Sequence, residues 1–404
     1  MSVLTDQKIF LVLDDVWNRD YQKWEYLLKP LRSGKEGSKI LVTTRDEAVA
    51  NLTRTSPIYP LQKLSDNDCW SLFEKHASIG TDMPSTHPNL ESIGRQIVEK
   101  CDGLPLAAKV LGGALRSKRD PGEWMEILES DMWDLDNDNI LPVLQISYQF
   151  LPSQLKRCFA YCAVFPKDYA FFKERVIRLW MAEGLLTQSK GNKDIEQVGE
   201  GCFDDLVSRS FFQKSTEWEC FLMHDLINDL AKSISGEFCF RYGVDGSCEI
   251  TGRIRHLWVG DEEEYEVDKL TSKVRTLLCF NEQEEVMNLL PTLTRLRVLC
   301  WHSSNELPDA IGNLMHLRCL DLSRSSMERL PDSVVSLWNL ETLILFNCDE
   351  LVELPAKISQ LINLSQLDIR GTTLTKMPPH MGKLKKLGEL DYYIVLKESH
   401  CGTT

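Results

Sequence analysis

No stretch of the 404 residues reaches the roughly 18 consecutive apolar residues that a membrane-spanning helix needs. Residues 1 to 20 carry no apolar core of the kind a secretion signal has. Positive charge is also scarce. Against 60 aspartates and glutamates stand 46 lysines and arginines, a formal net charge of −14, which argues against nonspecific binding to nucleic acid or to an anionic membrane. The 13 cysteines are odd in number and none stand in C-x-x-C spacing. A disulfide framework or zinc ribbon is therefore not expected, and a reducing, cytoplasmic compartment is the simplest reading. The closest pair, Cys158 and Cys162, has helical spacing in an apolar stretch and reads as core thiols. No nucleophile elbow, no zinc-binding H-E-x-x-H and no G-x-x-x-x-G-K-[ST] phosphate loop occurs anywhere.

Set against those absences is Lys8-Ile9-Phe10-Leu11-Val12-Leu13-Asp14-Asp15-Val16-Trp17, an apolar run ending in two carboxylates. Buried parallel strands read as unbroken apolar runs, and ligands of open α/β sheets bind beyond their carboxyl ends. A second strand, Ser38 to Arg45, ends in Thr43-Thr44-Arg45, hydroxyls and a guanidinium suited to phosphate oxygens. Between them Trp24, Leu27, Leu28 and Leu31 recur at helical spacing, so the segment reads as a βαβ unit. Taken alone, Asp14-Asp15 serves equally well as a solvated acidic turn and Arg45 as a surface arginine. In P-loop NTPases a carboxylate in this position holds Mg²⁺, and a glycine-rich loop one strand earlier cradles the phosphates. Too few residues precede the run for that loop and its strand, so the chain is expected to begin inside a domain.

Next, Gly103-Leu104-Pro105-Leu106 breaks one helix and opens another, with Pro105 near its first turn. Further on come Cys158-Phe159-Ala160-Tyr161-Cys162-Ala163-Val164-Phe165-Pro166, then Leu179-Trp180-Met181-Ala182-Glu183-Gly184-Leu185, then Met223-His224-Asp225. In this order these motifs resemble the NB-ARC switch ATPases of plant intracellular immune receptors. Trp17 after the paired aspartates is similar to the coiled-coil class. The resemblance implies roles for five residues: Asp14 for Mg²⁺, Asp15 as hydrolytic carboxylate, Arg45 as phosphate sensor, Pro105 against adenine and His224 on the ADP phosphate. ADP or ATP with Mg²⁺ is the implied cofactor. Behind His224-Asp225, the apolar stripe Leu226, Ile227, Leu230, Ala231 and Ile234 marks a helix start, a place that suits an anion. The plainer reading has Asp225 capping that helix and His224 merely packing.

The resemblance places a winged helix in the stretch from about Ile140 to Val244. Residues 146 to 245 hold 12 Lys and Arg against 14 Asp and Glu, a net of −2. With no basic stripe to neutralise phosphates, this winged helix reads as a lid over nucleotide rather than a DNA reader. From about Arg253 onward Leu293, Leu314, Leu337, Leu361 and Leu384 recur at intervals of 21, 23, 24 and 23. Leu307-Pro308, Leu330-Pro331, Leu354-Pro355 and Met377-Pro378 repeat in the same period, which identifies leucine-rich repeats. Ile254 to Leu257 and Val274 to Leu278 look like degenerate early repeats. Period-two reading puts Asp321, Ser323, Ile344, Phe346, Asp368, Arg370, Asp391 and Tyr393 on the concave face, with Ile344, Phe346 and Tyr393 exposed for a protein contact.

The expected fold is therefore an α/β P-loop NTPase-like partial sheet, then helical and winged-helix subdomains, then a leucine-rich-repeat solenoid. The expected boundaries are 1–57 for the nucleotide-binding half, 58–139 helical, 140–245 winged helix and 253–404 repeats. The expected function is a plant disease resistance receptor, an ADP/ATP-dependent switch rather than a turnover enzyme, since catalysis without a phosphate loop lacks its main anion contacts. Its expected partners are a pathogen effector or guarded host protein through the repeats, and an intramolecular contact between repeats and NB-ARC. The alternative is a nucleotide-free repeat module that binds protein, a remnant or decoy.

Overall fold

The computed structural model describes residues 7–77, 88–116, 118–134, 142–187, 194–215, 219–244, 252–260, 272–280, 288–302 and 305–390. The chain divides into two compact units, Met1–Lys63 and Leu64–Thr404. In the first, β1 (Phe10–Leu13) pairs in parallel with β2 (Lys39–Val42), with Leu13 opposite Val42, and α1 (Tyr21–Leu31) makes the crossover. Asp20 caps α1 by accepting from the Gln22 amide at 2.8 Å. Only Trp24 of the anticipated stripe is buried, and Leu27 is 41% exposed. A short α2 (Glu47–Thr53) follows, capped by Asp46. Among the described residues the sheet has these two strands, and Phe10, Val12, Ile40 and Leu41 stand exposed. Parallel strands are normally covered on both faces, so these side chains form an open apolar surface.

The second unit begins with helices α3 (Asp66–Ala77), α4 (Pro88–Lys100), α5 (Pro105–Leu115) and α6 (Pro121–Leu128). Their core is aromatic, with Phe73 edge-on to Trp124 at 5.9 Å. Helix α5 is nearly all small or aliphatic because it is enclosed. A Cβ at Gly112 would come within 2.7 Å of the Phe73 carbonyl oxygen, and one at Gly113 within 2.7 Å of Arg209 Cα. Asp120-Pro121-Gly122 forms the start of α6, with proline at the first helical positions.

Helices α7 (Pro142–Gln149), α8 (Ser153–Tyr161), α9 (Lys173–Glu183), α10 (Ile195–Ser208) and α11 (Asp225–Ser235) then surround an antiparallel pair, β3 (Gln213–Lys214) with β4 (Phe221–Leu222). Phe171 bridges to Phe221, completing the wing. Phe165, Phe171, Phe203 and Phe212 fill the space beneath it. Helix α9 stops at Gly184, whose left-handed φ of 72° a residue with Cβ adopts only under strain.

The last region is an eight-stranded parallel sheet of β5 (Cys239–Tyr242), β6 (His256–Val259), β7 (Thr276–Cys279), β8 (Val298–Trp301), β9 (Cys319–Asp321), β10 (Thr342–Ile344), β11 (Gln366–Asp368) and β12 (Glu389–Leu390). The strands are ordered as in sequence, one per repeat, and Leu293, Leu314, Leu337, Leu361 and Leu384 are buried in the solenoid interior. The sheet starts one strand earlier than the leucine pattern shows. β5 carries no repeat marker but pairs with β6, and Arg241 from it donates to the Phe165 carbonyl at 3.1 Å and to Asn228 Oδ1 at 2.7 Å.

The concave face departs from the sequence reading. Asp321, Ser323, Ile344 and Asp368 are buried, and Phe346 is half-buried beneath the Arg370 guanidinium, 5.5 Å from its ring centroid. Asp391 and Tyr393 lie outside the described residues. The cause on the first repeats is the winged helix itself. Trp258, Leu278, Val298, Cys300 and Cys319 belong to one continuous core with the winged-helix residues, separate from the solenoid interior. Buried polar groups pin this junction. Glu183 accepts from the Thr276 hydroxyl at 2.6 Å, while its carbonyl accepts from Arg297 at 2.9 Å. Burial raises the Glu183 carboxyl above its usual range, against the pull of Thr276 and Arg297. Burial, aided by Arg275, Arg255 and Arg297, holds His256 down to about 3, so its 3.8 Å approach to Glu183 is a polar contact, not an ion pair.

One strand further, Arg175 of α9 meets Asp321 at 3.0 Å, with His302 Nε2 3.2 Å from the same carboxylate and the Ser323 hydroxyl donating at 2.5 Å. Burial alone would raise the Asp321 carboxyl, but Arg175, His302 and Ser323 outweigh it and hold it well below the usual range. Removing one partner of such a pair strands the other charge. Asp321→Ala is predicted to cost about 3–5 kcal/mol of stability in urea unfolding, and Arg175→Met with Asp321→Leu to recover much of that loss. Because the folded-state pKa is depressed, the carboxylate contribution is present above the ordinary value of 3.8 and lost as pH falls below it. Wild type should therefore lose its advantage over Asp321→Asn on acidification through that value.

Candidate nucleotide site

Register places the site residues of the first unit side by side. Leu13 and Val42 are partners, so the residues after them, Asp14-Asp15 and Thr43-Thr44-Arg45, emerge together at the carboxyl edge. The Thr43 hydroxyl donates to Asp14 Oδ1, and the Asp15 amide donates to the Thr43 oxygen at 2.8 Å. Asp15 holds a left-handed φ of 48°, a conformation aspartate tolerates better than most residues, and this turns its carboxylate towards Arg45. Arg45 donates to it through Nε at 3.2 Å and a terminal nitrogen at 3.0 Å. Trp17 completes the cluster, its indole N–H donating to Asp15 at 3.0 Å and its ring lying 4.8 Å from the guanidinium. Side-chain exposures of 40% for Arg45 and 35% for Asp15 make this pair a weak contributor to stability. Its significance is positional: an arginine, two carboxylates and a threonine hydroxyl at the ligand-binding edge of a parallel sheet. Hard oxygen donors such as Asp14 and Thr43 suit Mg²⁺.

The second unit carries the other two residues. Pro105 is exposed at the first position of α5, after a turn in which Asp102 and Gly103 take φ of 52° and 66°. His224 opens α11. It has extended backbone, φ −60° and ψ 144°, and its ring Nδ1 accepts from the Leu226 amide at 3.2 Å. The N-cap is therefore His224, and Asp225, read from sequence as the cap, is the first helical residue. Accepting at Nδ1 puts the proton of the neutral ring on Nε2, which makes an exposed donor at a helix N-terminus. The structure thus brings Asp14, Asp15 and Arg45 together, while Pro105 and His224 each begin a helix of the second unit.

Sequence reasoning passed over two members of the first cluster. Trp17 was read only as a class marker, and Thr43 only as a phosphate contact. The signal for Thr43 was available in the register, since residues that follow paired strand ends must be neighbours.

A parallel strand pair with a carboxylate-bearing edge, a winged helix and a leucine-rich solenoid define a multidomain α/β repeat protein. Comparison with known proteins gives the same order of parts. The NB-ARC domain matches residues 1–82, the disease resistance protein winged helix domain residues 164–231, and a leucine-rich repeat region residues 273–403. The chain is 41% identical over 359 residues to disease resistance protein RGA2 of Solanum bulbocastanum, covering 87% of this chain and 35% of that one. To disease resistance protein RPM1 of Arabidopsis thaliana it is 32% identical over 360 residues, covering 84% of this chain and 36% of that one. The chain belongs to the NB-ARC leucine-rich-repeat family of plant disease resistance proteins. It spans about a third of the length of these relatives.

The capping role of His224 has a measurable consequence. His224→Ala should lower unfolding stability by about 0.5–2 kcal/mol, whereas His224→Asn, which can accept from the same amide, should stay close to wild type. Equal losses in both variants would assign the ring a packing role instead.

Proposed function

We propose that the chain is the switch and repeat portion of a plant immune receptor that rests with ADP bound and is released by exchange for ATP. Such a switch needs two conformations that differ in their affinity for the two nucleotides, and an element whose position the rest of the protein can bias. The observation that supports the reading most is the docking of α9 on the concave strands β6 to β9. Through it, any ligand that engages the repeats has a mechanical route to the winged helix.

On this reading Asp14 and the Thr43 hydroxyl hold Mg²⁺, which when bound neutralises phosphate charge. Asp15 is the hydrolytic carboxylate, Arg45 senses the terminal phosphate, Pro105 packs on adenine, and His224 donates through Nε2 to the ADP phosphate. Arg45 is held by Asp15 in the present geometry, so a terminal phosphate competes with that carboxylate for the guanidinium. Exchange of one partner for the other is how the arginine would report which nucleotide is present. The setting proposed is the cytoplasm, and the partners proposed are a pathogen effector or a guarded host protein bound by the repeats.

The test is to purify the 404-residue chain, denature it and identify released nucleotide by chromatography. Stoichiometric ADP in wild type, with less in His224→Asn, is the predicted result. A folded preparation with no nucleotide would overturn the switch reading for this polypeptide and favour a repeat module that acts without nucleotide.

A further inference from the structure

The concave face of the repeats is already engaged. Beyond the contacts of α9 with the first strands, the Gln366 amide of β11 donates to the Glu196 carboxylate of α10 at 3.1 Å. Winged-helix elements thus reach as far as β11, and a partner of the repeats needs another surface. One edge of the solenoid supplies it. Cys319, Thr342 and Gln366 are register partners on β9, β10 and β11, so the residues four positions before them, Met315, Trp338 and Ile362, are equivalent. Neighbouring side chains tie this row together: Asn339 donates to the Met315 carbonyl and Asn363 to the Trp338 carbonyl, each at 2.7 Å. Leu314, Leu337 and Leu361, just before the three residues, are fully buried, whereas Met315 is 42% exposed, Trp338 62% and Ile362 61%. The fold does not ask for apolar groups here, since the same position holds Thr294 one repeat earlier and Lys385 one repeat later.

Charge around the row has one sign. From the residue before each marked leucine to the second residue after it, the five repeats contain no aspartate or glutamate, in a chain of net charge −14. Exposed cations stand at both ends of the row, Arg295 at one and Lys383, Lys385 and Lys386 at the other. On the strand side, Glu341 pairs with Arg318 at 3.8 Å.

We propose that this edge binds an acidic amphipathic helix of a protein partner, with the apolar face of that helix on Met315, Trp338 and Ile362 and its carboxylates on the cations at the two ends. Spacing selects a helix. Neighbouring strands lie about 4.8 Å apart, so the anchors advance by roughly that distance per repeat. A helix advances about 5.4 Å per turn and offers one apolar side chain per repeat, at i, i+3 or i+4, and i+7. An extended peptide presents side chains of one face roughly 6.6 Å apart and falls out of step. The four intervals from Arg295 to Lys386 span roughly 19 Å, which is about 13 residues of helix. Charge selects an acidic partner, and the net charge of the whole chain opposes an anionic bilayer in its place. The proposal rests on the reading of the repeats as the partner-binding part and does not depend on the nucleotide switch.

The probe is a fluorescein-labelled, stapled helix of about 14 residues, leucines along one face and glutamates on the other. Its controls are a scramble of the same composition and the same helix with lysine for every glutamate. Fluorescence anisotropy against the full chain should show saturable binding of the acidic helix, tighter than either control and weakened by salt. Trp338→Ala should weaken it about tenfold or more, and Ile362→Asp serves as a second variant. Lys385→Glu with Lys386→Glu should shift preference towards the lysine helix, a reversal that a merely structural role would not produce. Absence of binding, equal affinity for the scramble, or binding undiminished in both apolar variants would overturn the proposal. So would Trp338-dependent sedimentation with phosphatidylserine vesicles in place of helix binding, or Trp338-dependent self-association, which would give the row to a lipid surface or to a second copy of the chain. Binding is read with or without nucleotide, so failure of the switch reading leaves this test intact.

Discussion

The junction between winged helix and repeats turns on one buried carboxylate. Asp321 sits on a concave strand at 2% exposure, where an isolated charge would be untenable. It is tolerated because Arg175 reaches it from α9, and His302 and Ser323 close around it from the repeats. Each group therefore needs the other element in place. A repeat sheet without α9 would present this carboxylate without its arginine, and α9 without the sheet would present an arginine that has lost both Asp321 and the Phe280 ring it covers at 5.0 Å. Such pairs add little net stability compared with apolar packing, but they specify geometry, because a displaced partner leaves a buried charge behind.

Apolar packing supplies the area and polar pairs supply the register. Trp258, Leu278 and Val298 extend the winged-helix core onto the sheet, while Glu183 with Thr276, and Arg241 with Asn228, fix how the two parts align. Gly184 has a part in this. By ending α9 in a left-handed turn it leaves the Glu183 carbonyl to meet Arg297, while the carboxylate of the same residue meets Thr276. The residues that mark the family in sequence, from the Phe165 segment through Met-Ala-Glu-Gly to Met-His-Asp, are thus in large part the residues that hold this junction and cap α11.

Much of the fold was legible because its signals are periodic. Leucines at 23-residue spacing can only be one face of a repeating turn, and each marked leucine is buried. The strand before the pattern, β5, carries no such marker. It joins the sheet by backbone pairing, which is nearly blind to side chains. The concave face was misread for a different reason. Alternation along a strand says which side chains share a face, but not what covers that face, so Ile344 and Asp321 were assigned to solvent or a partner when Asp321 already faces α9. In the first unit, order and register put Asp14, Asp15 and Arg45 together as expected, but the Asp15 to Arg45 and Trp17 contacts depend on the left-handed turn at Asp15, which no composition rule predicts. At α11 the statistical preference of aspartate for N-caps pointed to Asp225. The extended backbone falls one residue earlier, and the histidine ring accepts the amide in its place.

The central claim is that winged helix and first repeats are one cooperative body, and native-state hydrogen exchange tests it most directly. The amides of α9 and of β7 to β9 should exchange with a common free energy and lose protection together in increasing denaturant. Exchange of α9 at markedly lower denaturant than β7 to β9 would contradict the account, since the two would then be separate bodies in contact.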